Sequence, residues 1–86
     1  MPYIVMSSIG KDKPGLIAAM SSTVASGGGN IEDLDSVVLK GKVFLLSMAI
    51  QVGAEKAEAL KRSLIERGKE VGLRVFVYDG ADFNLR

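Results

Sequence analysis

The chain has 86 residues and a formal net charge of +1, with 48% hydrophobic and 24% charged residues. That is enough for one core burying roughly 60 to 65% of the unfolded chain's surface, but too little positive charge for a domain that grips a phosphate backbone, so no nucleic-acid partner is expected. It contains no His and no Cys, which removes imidazole bases, thiolate nucleophiles, disulfides and most zinc or copper sites.

Tyr3 to Ile9 is rich in β-branched and aromatic residues and breaks at Gly10, which predicts a first strand. The start "MPYIVMSSIG" lacks the basic region and apolar length of a secretion signal, and no segment approaches the roughly 18 apolar residues of a membrane helix, so a cytoplasmic chain with no membrane partner is expected. The loop "GKDKPG" follows, residues 10 to 15. Pro14 suits the first turn of a helix, and Leu16, Ile17, Met20 and Val24 recur at helical spacing until the glycine run Gly27 to Gly29.

Ile31 to Leu39 and Val43 to Val52 are made of strand formers, and Lys40 to Lys42, "KGK", is a short hairpin connection between them. After Gly53 comes an amphipathic helix with Ala57, Leu60, Leu64 and Val71 on one stripe, ended by Gly72. "LRVFVYD" is a last strand and "GADFNLR" a short tail. The order βαββαβ predicts an α+β, ferredoxin-like fold, a four-stranded antiparallel sheet with both helices on one face, in a single domain over residues 1–86. In the third strand Phe44, Leu46, Met48, Ile50 and Val52 face one way, while Val43, Leu45 and Ala49 face the other. An apolar face opposite the helices implies cover by a second subunit or by the tail, or else a central strand with a few exposed aliphatic residues.

"GKDKPG" is not a Walker A loop, because the glycine after the four-residue spacer is followed by Leu16 rather than Lys. What remains is a strand-to-helix turn. Its free N–H groups, those of Gly15 and Leu16 if the helix starts near Pro14, point toward any anion, and Gly15 has no side chain to block the approach. Asp12 repels a bare phosphate but attracts an ammonium group, so a free amino acid satisfies both features. The alternative is that Asp12 only caps the helix. Asn30 suits a turn and is otherwise a candidate contact; the end of the first helix need not lie near the first loop of the same chain, which leaves a dimer as one way to join Asn30 to Asp12. Asp33 and Asp35 share a strand face and read best as solvated or edge-protecting charges rather than a metal site. An RNA recognition motif has the same element order, but Lys42 and Ser47 occupy two of the positions where it needs aromatics.

"DKPG" before the first helix, "NI" at the second strand and the glycine of the next hairpin together resemble the ACT domain, over nearly the whole chain. That resemblance implies a regulatory module, not an enzyme and without a cofactor, that binds an amino acid at the interface of a homodimer. Carried over by position, the ligand contacts are Gly10, Lys11, Asp12, Pro14, Gly15 and Leu16 of one chain, with Asn30 and Ile31 from its neighbour. Gly10 stands where some relatives carry a polar side chain. Gly27 and Gly29 stand where relatives often carry apolar residues, which predicts a looser turn before Asn30. With no attached catalytic or DNA-binding domain expected, the output is a change in assembly or in a partner, a metabolic enzyme or regulator. The alternative is a dimerisation or protein-interaction module that takes no ligand.

Overall fold

The computed structural model describes residues 2–85. The elements are β1 (Tyr3–Lys11), α1 (Leu16–Ser26), β2 (Asn30–Leu39), β3 (Val43–Gln51), α2 (Ala54–Val71) and β4 (Leu73–Asp79), followed by a 3-10 turn over Gly80–Phe83. The strands form one antiparallel sheet in the order β2-β3-β1-β4. This is the expected ferredoxin-like arrangement.

Period-two alternation sends Ile4 and Met6 of β1 and Phe44, Leu46, Met48 and Ile50 of β3 to one face. There they pack against Leu16, Met20 and Val24 of α1 and Leu60 and Leu64 of α2. The Ser8 hydroxyl lies in the same layer and donates to the Leu46 carbonyl at 3.0 Å, so its burial leaves no unpaired polar group. Ile17, placed by its spacing on the buried stripe of α1, is instead 38% exposed. It stands one position round from Leu16, and only the Leu16–Met20–Val24 row reaches the sheet.

Gly10 is not a strand end. β1 continues through it to Lys11, pairing Gly10 with Phe44 on one side and Leu73 on the other. A Cβ at Gly10 would press on the Gly72 carbonyl oxygen and lie 2.9 Å from the Leu73 side chain, so close approach of β4 requires the glycine. The turn before β2 is not loose either. Gly29 donates to the Val24 carbonyl at 2.9 Å and Gly28, at φ 79°, to the Ala25 carbonyl at 3.1 Å, the paired bonds of a Schellman motif. A Cβ on Gly27 would stand 2.7 Å from Leu60, and one on Gly29 2.9 Å from both Ile50 and Leu60. The small residues let α2 press onto this turn. At the hairpin, Lys40 and Gly41 have φ of 55° and 66° and the Lys42 amide donates to the Leu39 carbonyl, as a type I′ turn requires.

The opposite face is only partly covered. The tail turns back across it, placing Phe83 edge-on to Tyr78 with ring centroids 5.9 Å apart and Leu85 over the hollow floored by Val5 and Ala49. Gly80 is buried where this segment crosses Tyr3.

Candidate ligand-binding site

The segment after β1 is held at both sides. The Asp12 amide donates to the Lys42 carbonyl at 2.8 Å, which ties it to the hairpin, and the Lys13 side chain lies over Gly72 at the junction of α2 and β4. Gly15, at φ 85°, is the N-cap of α1, and its carbonyl accepts from Ala19 at 2.9 Å. The helix therefore begins at Leu16, later than the position of Pro14 suggests. The free donors of its first turn are the amides of Leu16, Ile17 and Ala18, which keeps Leu16 and adds the next two residues to the expected pair.

Asp12 does not cap α1, since no side chain hydrogen-bonds to the helix N-terminus. It is exposed, and among the described residues it takes part in no ion pair. Its carboxylate thus remains open to an outside cation. Asp12, Lys13, Gly15, Leu16, Ile17, Ala18 and Phe44 line a depression of about 370 Å³, in the size range of small-molecule sites. Ile17, Ala18 and Phe44 are not among the ligand contacts expected from the sequence, which places Ile17 and Phe44 in the core. Phe44 is found only through register, because it sits opposite Gly10. Ile17 could have been found from its offset to the buried row.

Asn30 and Ile31 lie elsewhere. Asn30 pairs with Gln51 and Ile31 with Ile50, whereas Gly10 and Lys11 pair with Phe44 and Val43. The nine-residue length of β3 separates the two groups by about 27 Å. One chain therefore gathers Gly10 to Leu16 at one end of the sheet and leaves Asn30 and Ile31 at the other.

Asp33 and Asp35 face the side opposite the helices, beside Ala49 and Ser47. Glu32 occupies a bulge and accepts a 2.7 Å hydrogen bond from the Tyr3 hydroxyl, spanning β3. This bond, with partial burial and the nearby negative charge, raises the Tyr3 pKa. Among the described residues no three His, Cys, Asp or Glu side chains stand together as metal ligands, and no helix is long and apolar enough to cross a membrane.

The fold is ferredoxin-like, and the sequence pattern of the ACT domain, a family of regulatory ligand-binding modules, matches residues 2–78. The chain belongs to the ACT domain family. It is 35% identical over 81 residues to a UPF0237 protein of Methanopyrus kandleri, covering 90% of this chain and 87% of that one. Among solved structures it is similar to an ACT domain protein from Streptococcus pneumoniae, with a TM-score of 0.84, 22% identity, and coverage of 99% of this chain and 97% of that one. It is also similar to the ligand-free regulatory subunit of aspartate kinase from Thermus thermophilus, with a TM-score of 0.72, 17% identity, and coverage of 90% of this chain and 50% of that one.

Proposed function

We propose that the protein is a homodimeric regulatory module that binds a free amino acid at sites shared between two copies, and that it catalyses no reaction itself. The observation that carries this reading is the position of β2. It is an edge strand, free to pair on one side, and on the helix side its Leu34 and Val38 are 37% and 43% exposed beyond the reach of α1. An unpaired edge with apolar residues is a template for another strand.

A two-fold axis normal to the sheet would join β2 to its copy in antiparallel order. With Ser36 opposite the partner's Ser36, Asp33 and Asp35 fall beside the partner's Leu39 and Val37. Like charges are thereby kept apart, while Leu34 meets the partner's Val38. The same register carries Asn30 to the partner's Lys40–Lys42 turn, whose Lys42 carbonyl holds the Asp12 amide. The halves that one chain holds about 27 Å apart then meet.

In this site Asp12 receives the ammonium group and the amides of Leu16, Ile17 and Ala18 receive the carboxylate. Such a helix end favours an anion by about 0.3 to 1 kcal/mol when exposed and more when covered. Gly15 leaves the approach open, Gly10, Lys11 and Pro14 frame the loop, and the partner's Asn30 and Ile31 close the site. Because the ligand bridges two chains, its binding changes the stability of the dimer by mass action, which is how the module would signal to a metabolic enzyme or regulator. The Thermus thermophilus protein, named as a regulatory subunit, supports this reading.

Calorimetry and thermal melts with the standard amino acids test it. Heat and an upward melting shift are expected for at least one of them, and both should vanish in the folded double variant Asp12→Ala, Asn30→Ala. The ligand claim fails if none binds up to millimolar concentration, and a strictly monomeric protein by light scattering removes the shared site.

A further inference from the structure

The sheet face without helices is left open by the proposed dimer, and its two ends differ. At the Tyr3–Gln51 end the tail lies across it, with Phe83 against Tyr78. At the Lys11–Val43 end it is bare, and Ile9, Val37, Leu39 and Val43 are 37% to 49% exposed. Charge is divided in the same sense. Glu32, Asp33 and Asp35 belong to the covered half of β2, and Lys40, Lys42 and Lys11 to the bare end. Among the described residues none of these six is in an ion pair.

We propose that this face stacks on the same face of a second copy, with the strands of the two sheets running in opposite directions. A two-fold axis lying between the sheets and across the strands brings the tail of each chain onto the bare end of the other, so that Phe83 meets the partner's Ile9 and Val43. The acidic start of β2 then lies over the partner's Lys40–Lys42 turn. A stack with strands in the same direction would set tail on tail and lay the acidic start of β2 over the partner's β4, away from its Lys40–Lys42 turn, so shape and charge select the first arrangement. The molecule measures 36 × 23 × 16 Å. Its broad face thus offers on the order of 800 Å² in projection, about the area each partner contributes to a standard interface. The contact uses neither Leu34 and Val38 nor Asp12 and the amides of Leu16, Ile17 and Ala18, so it goes beyond the ligand reading. Combined with pairing through β2 it closes four chains.

Sedimentation of the full chain over a concentration series tests the stack. Val43→Glu, at an exposed position, should weaken a face-dependent association at least about tenfold while leaving the melting profile of the subunit and amino-acid binding unchanged. Phe83→Lys should act likewise, and the two substitutions together should restore most of the association, because the antiparallel stack sets the new charges side by side. The proposal is overturned if Val43→Glu associates like the parent chain, or if the double variant is no stronger than either single one. The paired variant Leu34→Asp, Val38→Asp separates the two interfaces. It should reduce four chains to a two-chain species that Val43→Glu then dissociates, and a monomer at this step would overturn the stack while leaving the β2 dimer standing.

Discussion

At the scale of single residues, glycines decide how closely the layers meet. Gly10 is the clearest case, because a methyl group there would press on a backbone carbonyl that cannot turn aside. Gly10→Ala should therefore destabilise the fold by about 1 to 3 kcal/mol, measured by urea unfolding. Gly15→Ala is different: nothing lies within 4 Å of the added carbon, and only its φ of 85° is unfavourable. A loss of about 1 kcal/mol is expected there. A second residue-scale effect concerns pH. The hydrogen bond to Glu32 raises the Tyr3 pKa above its ordinary 10.0, and the hydrogen bond to Asp79, aided by Glu58 and opposed by burial, raises that of Lys61 above 10.5. Both groups hold their proton more tightly when folded. Their contribution is complete below the unfolded values and is lost as pH rises through the folded ones. Unfolding midpoints should fall above pH about 10, and less steeply in the double variant Tyr3→Phe, Lys61→Met.

At the scale of elements, α2 and β2 are opposites. α2 buries Leu60 and Leu64 and presses Gly68 against Val75, so it belongs to the core. Leu64→Ala should cost about 2 to 5 kcal/mol, read from a denaturant midpoint. β2 pairs only with β3, and most of its residues are exposed. Left alone, its outward amides should exchange with deuterium well before those of β1, which is paired on both sides. Under dimer-forming conditions they should become protected, and Leu34→Asp with Val38→Asp should abolish that protection. Exchange rates that do not change with protein concentration would count against pairing through β2.

At the scale of the whole molecule, the two parts of the candidate site stand at opposite ends of the sheet. A ligand contacting both Asp12 and Asn30 must therefore bridge chains, and its apparent affinity should rise with protein concentration in the range where the dimer assembles. Titration at two protein concentrations on either side of that range reads this directly. The tail belongs to the same scale. By covering one end of the open face and not the other, it turns a uniform apolar surface into one with a direction.

Much of the fold could be read along the chain. Glycine and proline positions, alternation in Val43 to Gln51 and the helical row Leu16, Met20, Val24 are local signals, and local sterics and burial act on neighbours a few residues apart. They were enough for the order βαββαβ, for both helices and for the hairpin turn. The resemblance in "DKPG" and "NI" was likewise legible, and it named the family. What the sequence could not settle depends on contacts between distant segments. Gly10 reads as a strand end until β4 is seen lying against it, and the run Gly27 to Gly29 reads as slack until Leu60 is seen packed on it. Ile17 reads as core until the sheet is seen to take only one row of α1. Asp12 keeps its place as an open carboxylate, while the anion donors beside it extend from Leu16 to Ile17 and Ala18 because the helix begins only after Gly15. The distance from Asp12 to Asn30 is set by strand register alone. Register is a property of the paired sheet, and no single segment carries it.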